Sequence, residues 1–156
     1  MELIPAVDSY EKAMRVALEE AALARGHSDV PVGAVALLDG EVIARRHNER
    51  ELTGDPTAHA EILVIRDAAV TLGSWRLDAV TVVVTLEPCP MCAGALVAAR
   101  VARVVFGAAD PKAGAAGSLY NLCSDPRLNH EVEVLPGVLG DEAGEMLSAF
   151  FASRRG

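Results

Sequence analysis

Two spacings of apolar residues run along the chain, and each predicts a different kind of element. Between residues 14 and 22, apolar side chains recur at helical spacing, which predicts a first helix. Residues 32–38 and 41–45 are strand-like segments joined by Asp39-Gly40, a pair that accepts the positive backbone angles of a tight turn. We therefore expect an opening helix followed by a β-hairpin.

The remainder of the chain alternates between strand-like and helix-like segments. Residues 79–86 form an almost unbroken β-branched run, which is typical of a strand covered on both faces. Around this strand we predict helices over 58–72, 88–100 and 141–153, and further strands over 102–106 and 132–135. This order predicts an α/β fold, a three-layer α/β/α sandwich with a mixed five-stranded sheet.

Composition limits the chain to a few classes of protein. Its 156 residues are 51% hydrophobic, which suits one domain spanning residues 1–156. The amino end lacks the basic start and long apolar segment of a secretory signal, and no apolar run reaches the roughly 18 residues needed to span a bilayer. We therefore expect a cytoplasmic protein with no membrane partner.

The acidic balance of the chain bears on nucleic-acid binding. The formal net charge is −8, which argues against indiscriminate affinity for phosphates. Arg45, Arg46 and Arg50 nevertheless cluster in one segment, and Arg154 and Arg155 come near the end. These residues are either a local cationic track or ordinary solvated charges, and the sequence leaves both interpretations open.

Four residues with metal or proton chemistry lie at two predicted helix starts. His59 and Glu61 open the second predicted helix, and Cys89 and Cys92 open the third. Helices that follow adjacent strands bring their amino ends to one edge of the sheet, so the imidazole and both thiolates can converge. Two sulfurs and one nitrogen predict a catalytic zinc site with a fourth position for water, next to which Glu61 would act as general acid and base.

Each of these residues also has a simpler interpretation. A histidine at a helix start is often ordinary, Glu61 there is a favourable charge near the positive helix end, and a Cys-x-x-Cys pair can serve redox chemistry. Their joint occurrence, in this order and at helix starts, favours the zinc site. Cys123 has no partner at ligand spacing, and we expect it to be a small hydrophobe. No role is assigned to the histidines at 27, 47 and 130.

Four longer segments carry a resemblance to a known family. They are Pro31–Val35, Asp55–Ile62, Leu86–Ala95 and Val104–Tyr120. Along nearly its whole length the chain resembles the bacterial tRNA-specific adenosine deaminases of the cytidine deaminase-like superfamily. The zinc motifs are shared with cytidine, cytosine and guanine deaminases, whereas the last segment, VVFGAADPKAGAAGSLY, resembles the tRNA-acting branch.

The resemblance implies a reaction, a cofactor and partners. The reaction is hydrolytic deamination of adenosine to inosine at the wobble position of a tRNA anticodon stem-loop, with one zinc ion per subunit of a homodimer. Asn48 would contact the target nucleoside, and Asp110 and Lys112 would border the RNA channel. Phe151, in the pair Phe150-Phe151, would line that channel, although the pair could instead pack in the core.

Two rival functions remain open at this point. A guanine or cytosine deaminase acting on free bases or nucleosides would share the zinc site and differ in the pocket. A non-catalytic, zinc-stabilised RNA-binding or partner subunit would use the same ligands only to hold its fold, and Glu61 argues against it.

Overall fold

The structure is a computed structural model that describes residues 7–155, with side chains from Tyr10 to Arg154. Five helices are present in this part of the chain: α1 Val7–Ala24, α2 Arg50–Thr53, α3 Ala60–Leu72, α4 Pro90–Ala98 and α5 Gly140–Arg155. The strands are β1 Gly33–Leu38, β2 Glu41–His47, β3 Val80–Leu86, β4 Arg103–Ala108 and β5 Glu133–Leu135. A short 3₁₀ turn, Arg25–His27, follows α1.

The five strands form one mixed sheet in the order β2-β1-β3-β4-β5. The pairs β2/β1 and β1/β3 are antiparallel, whereas β3/β4 and β4/β5 are parallel. At the hairpin between β1 and β2, Asp39 and Gly40 have φ of 53° and 80°, as the tight turn requires. The predicted mixed five-stranded sheet is confirmed.

Helices cover both faces of the sheet, and alternate residues of β3 show how. Val82 and Val84 pack in a core with side chains of α3 and α4, whereas Val83 packs in a second core with side chains of α1 and α5. Because both faces of β3 are buried, its residues need no polar alternation, which explains the β-branched run. The predicted three-layer sandwich is confirmed.

Close approach between α1 and the sheet depends on Gly33. A Cβ placed on this residue would lie 1.9 Å from the carbonyl oxygen of Ala17 in α1, so no larger residue fits without moving the helix. With α1 seated in this way on one face, α3 and α4 occupy the other face and contact each other.

The main differences from the predicted elements lie at the helix starts and in the loops. The second and third predicted helices begin at Ala60 and Pro90, two residues later than expected, and α4 ends at Ala98. The four-residue α2 was not predicted. No helix in residues 7–155 combines the length and apolar character needed to cross a bilayer.

Candidate active site

His59 and Cys89 occupy matching positions immediately before two helices. Both have extended backbone conformations, with φ of −75°, and neither side chain caps its own helix. Pro90, the first residue of α4, favours a helix start here because its missing N–H would have no partner in a first turn. Cys92 lies in the first turn of α4. The three side chains are therefore presented from the amino ends of two adjacent helices.

The distances among the three side chains fit a tetrahedral metal site. His59 Nδ1 lies 3.7 Å from Cys89 Sγ and 3.4 Å from Cys92 Sγ, and all three ligand atoms lie within 4.8 Å of one another. Tetrahedral zinc, with its usual bonds to nitrogen and sulfur, separates such atoms by about 3.6 Å. Two soft sulfurs and one imidazole are also the donor set that zinc prefers. The residues fit a zinc ion.

The surroundings of Cys89 favour its thiolate form. Hydrogen bonds from Cys92 and His59, opposed in part by burial, lower the pKa of the Cys89 thiol to about 4. The amino end of α4 supplies further positive potential at this position. The Cys89 sulfur is therefore chemically suited to bind a metal dication.

Glu61 lies in the first turn of α3, two residues after His59. Its residue is only 4% exposed, and this burial raises the pKa of the Glu61 carboxyl to about 7. A carboxyl that changes protonation near neutral pH is suited to accept and return a proton. Because its carboxyl also interacts with His59, Cys89 and Cys92, Glu61 lies beside the metal-ligand cluster in a chemically suitable setting.

Asn48 comes directly after β2 and is 8% exposed. Its Oδ1 accepts a hydrogen bond from the backbone N–H of Ala60 at 2.8 Å, and its Nδ2 donates to the carbonyl oxygen of Val30 at 3.1 Å. One amide hydrogen and one oxygen lone pair remain for a further partner. The structure brings Asn48 to the start of α3, where it has a structural role that the sequence did not predict.

Two adjoining grooves contain the other predicted RNA contacts. A groove of about 780 Å³ is lined by Asp110, Lys112, Phe151 and Arg154, among others. A second groove, of about 200 Å³, shares Phe151 and Arg154 and reaches Asn48. Phe151 is 46% exposed, whereas its neighbour on α5 is buried in the core. The four predicted substrate contacts therefore lie along one continuous surface.

Two of the clustered arginines are not available as a cationic track. Arg45 Nε donates to Glu20 at 2.8 Å, and Arg46 donates to Glu49 at 2.8 Å and to Asp67 at 2.9 Å. Carboxylates on neighbouring elements neutralise both guanidinium groups. Of the two interpretations that the sequence left open, these ion pairs favour ordinary structural charges over a free cationic track at Arg45 and Arg46.

The three histidines without a predicted role lie within hydrogen-bonding distance of other groups in the fold. His47 Nδ1 lies 2.9 Å from Glu20, and His27 Nδ1 lies 2.6 Å from Asp29, while the two Nε2 atoms lie 3.2 Å apart. Asp29 also accepts the backbone N–H of Glu51 at 2.8 Å, which fastens α2. His130 Nε2 lies 2.7 Å from a backbone carbonyl, and Cys123 is fully buried, as expected for a small hydrophobe.

Glu87 is a buried polar residue that the sequence did not single out. Burial opposes its charge, but hydrogen bonds from the Ser118 hydroxyl and three backbone N–H groups outweigh that effect and lower the pKa of the Glu87 carboxyl. The only signal in the sequence is an acidic residue between an apolar strand and Pro88. Its partners lie more than twenty residues away, so their identity is visible only in the structure.

Comparisons with known sequences find deaminases in each case. A family model described as MafB19-like deaminase matches residues 8–155. The chain is 54% identical over 145 residues to a tRNA-specific adenosine deaminase of Bacillus subtilis (strain 168), a match that covers 93% of this chain and 90% of that protein. It is 47% identical over 146 residues to the Haemophilus influenzae protein of the same name, covering 93% and 84% respectively.

Solved structures agree in fold. A structure from a study of A-to-I editing by tRNA:A34 deaminases at the wobble position of transfer RNA matches with a TM-score of 0.84 and 46% identity, over 87% of this chain and 99% of that one. A guanine deaminase from Nitrosomonas europaea matches with a TM-score of 0.72 over 97% and 94%, but at 24% identity it supports the fold alone. The chain therefore has a cytidine deaminase-like fold and belongs to the MafB19-like deaminases and to the tRNA-specific adenosine deaminases.

Proposed function

We propose that this protein is a zinc-dependent hydrolytic deaminase that converts adenosine to inosine at the wobble position of a tRNA anticodon loop. The observation that carries the proposal is the meeting of His59, Cys89 and Cys92 beside the buried carboxyl of Glu61. The names of the relatives favour adenosine in tRNA over free guanine or cytosine as substrate.

The residues of the site divide the chemistry between them. His59 Nδ1 and the two sulfurs would hold one zinc ion, which when bound supplies the Lewis acidity that makes a water molecule nucleophilic near neutral pH. The Glu61 carboxylate accepts a proton from the water and delivers it to N1 of adenine as the oxygen attacks C6. The same carboxyl then takes the remaining proton from the oxygen now bound to C6 and delivers it to the amino group; the bond from C6 to nitrogen breaks, ammonia leaves, and C6 becomes the carbonyl carbon of inosine.

The substrate base must reach this site unpaired. An anticodon loop presents bases that are already out of a duplex, so turning one outward costs little. We infer that Asn48 meets the edge of the extruded base, while Phe151 stacks on a neighbouring base and Lys112 contacts a phosphate. Asp110 borders the channel by shaping the loop, since its Oδ1 accepts the backbone N–H groups of Lys112 and Ala113 at 3.0 and 3.2 Å.

We also propose a homodimer that works in the cytoplasm, where tRNA is used. Met91 and Gly94 lie on an exposed side of α4, and a Cβ on Gly94 would meet nothing within 4 Å of its own chain. Such a small, apolar surface allows close packing of a second subunit. Sedimentation should give a dimer for the native chain and a monomer for Gly94→Arg; a native monomer would refute the dimer.

The experiment that tests the reaction uses purified protein and synthetic RNA. An anticodon stem-loop with adenosine at the wobble position should yield inosine at that position and one ammonia per inosine, whereas free guanine, cytosine and adenosine should yield none. Deamination of a free base and not of the RNA would favour the rival enzyme. Tight RNA binding without ammonia release would favour a non-catalytic subunit.

A further inference from the structure

Glu87 is a buried carboxylate outside the reacting groups, 2% exposed and two residues before Cys89. Removing a carboxylate from water is costly unless hydrogen-bond donors replace the lost hydration. Among the residues that the structure describes, no lysine or arginine side chain bonds to it. Neutral hydrogen-bond donors therefore stabilise the charge of Glu87. The segment that supplies these donors indicates the role of the residue.

All four donors to Glu87 come from one loop after β4, residues 109–118. Oε1 accepts the backbone N–H of Asp110 at 2.9 Å and the hydroxyl of Ser118. Oε2 accepts the backbone N–H groups of Ala116 and Ser118, each at 3.0 Å. Two donors to each oxygen satisfy the carboxylate, and four bonds to one side chain hold both ends of this loop.

The loop also fits around the carboxylate sterically. A Cβ placed on Gly114 would lie 2.4 Å from both Cδ and Oε2 of Glu87, so the loop backbone closes directly over the charged group. The backbone N–H of Ala115 donates to the carbonyl oxygen of Pro88 at 2.8 Å. Loop 109–118 is thus fastened to Glu87 and to the residue that directly precedes Cys89.

The same loop forms one wall of the larger groove, through Asp110, Pro111, Lys112 and Ala113. The placement of that wall relative to Cys89 therefore depends on Glu87. We propose that Glu87 is a positioning residue, whose carboxylate sets loop 109–118 against the zinc ligands so that a bound RNA is aligned with them. This inference rests on the proposed function, because it names the RNA-binding loop of that same site.

The first test needs no substrate and measures amide hydrogen exchange in Glu87→Gln. Glutamine has nearly the same size as glutamate. Whichever way its amide turns, the NH₂ group replaces an oxygen that accepts a backbone N–H, so at least one hydrogen bond is lost. Exchange within residues 109–118 should rise about tenfold or more, while exchange in α1 stays unchanged. The matched control is Glu142→Gln, whose native carboxylate is exposed and pairs with Arg15.

Unchanged exchange in the loop would overturn the proposal. If Glu87→Gln fails to fold, Ser118→Ala removes a single donor and should raise exchange in the same loop by about threefold. Unchanged exchange in loop 109–118 of Ser118→Ala would likewise overturn the proposal.

The second test separates positioning from general damage by kinetics on the anticodon stem-loop. In Glu87→Gln the KM should rise about tenfold and kcat should change less than about threefold, with one zinc ion retained per chain. Adding Lys112→Ala to this variant should raise KM no further, because the misplaced lysine no longer contributes. Fully additive increases in KM would overturn the proposal.

The two tests also distinguish this inference from the function on which it rests. A native enzyme that makes no inosine would reject the proposed function, while the exchange measurement would still decide whether the loop depends on Glu87. A native enzyme that makes inosine, together with unchanged KM and exchange in Glu87→Gln, would reject only the positioning role.

Discussion

Asn48 caps the helix that carries Glu61: its Oδ1 accepts the backbone N–H of Ala60, the first residue of α3, at 2.8 Å. The first N–H groups of a helix have no partner within it, and the residue before the helix often supplies one. His59 stands in that position but directs Nδ1 towards the two sulfurs. The capping bond therefore comes from the residue that follows β2, which leaves His59 free to be a ligand.

We expect Asn48→Ala to weaken the fold as well as the reaction. The substitution leaves the buried N–H of Ala60 without an acceptor, which should lower the free energy of unfolding by about 1–3 kcal/mol. Asn48→Asp keeps an acceptor for Ala60 but loses the donation to the Val30 carbonyl oxygen, so it should also lower the free energy of unfolding. Urea denaturation of the zinc-loaded proteins measures both, and a stability equal to that of the native protein in Asn48→Ala would contradict the capping role.

Glu61→Gln should separate metal binding from turnover. The amide cannot take a proton from water, so inosine formation should fall by about 10²-fold to 10⁴-fold, while the zinc content stays at one per chain. Glu142→Gln, at an exposed position far along the chain, is the control and should keep native activity. A Gln variant with native turnover would show that another group moves the proton.

Replacement of the sulfur ligands should remove the metal. Cys89→Ala and Cys92→Ala each leave two ligands, so zinc measured by elemental analysis should fall from one per chain towards zero, and inosine formation should fall with it. Cys123→Ala is the matched control because that cysteine is buried away from the cluster. Equal zinc in all three variants would mean that other residues hold the metal.

Most of the fold could be predicted because its signals are local. Asp39-Gly40 predicted the hairpin, and the β-branched run predicted β3 to within one residue. The four-residue α2 could not be predicted in this way, because it is too short to show a helical period and is fastened from outside by Asp29.

The meeting of His59, Cys89 and Cys92 could also be predicted, since their residue types and helix-start positions are both local features. The partners of the charged side chains could not be predicted. Arg45 and Glu20 are twenty-five residues apart and meet only because α1 packs beside β2. Glu87 meets Ala116 and Ser118 across twenty-nine and thirty-one residues. Such partners depend on how the elements pack, so neither the ion pair of Arg45 nor the hydrogen bonds of Glu87 could be predicted from the sequence.

Phe150 and Phe151 form an edge-on pair with ring centroids 5.4 Å apart. We expect removal of one ring to lower stability and removal of the other to weaken RNA binding. Phe150 is buried beneath the Arg154 guanidinium, so Phe150→Ala should lower the free energy of unfolding by about 3–5 kcal/mol. Phe151→Ala should leave stability nearly unchanged and weaken RNA binding by about 1–3 kcal/mol, the value of one stacked base. Thermal unfolding and RNA titration of both variants test the assignment, which fails if Phe151→Ala binds RNA as the native protein does.

Lys112 should contribute to RNA affinity as an isolated phosphate contact. It lies exposed on the groove wall, and no carboxylate of the described residues forms an ion pair with it, unlike Arg45 and Arg46. Because each phosphate contact to a single strand releases bound counterions, Lys112→Ala should reduce the slope of log affinity against log salt by about 0.7. Arg76→Ala removes a cation already paired with Asp78 and should leave the slope unchanged. Fluorescence titrations of a stem-loop at several salt concentrations measure the slopes. Equal slopes for all three proteins would place the RNA away from this wall.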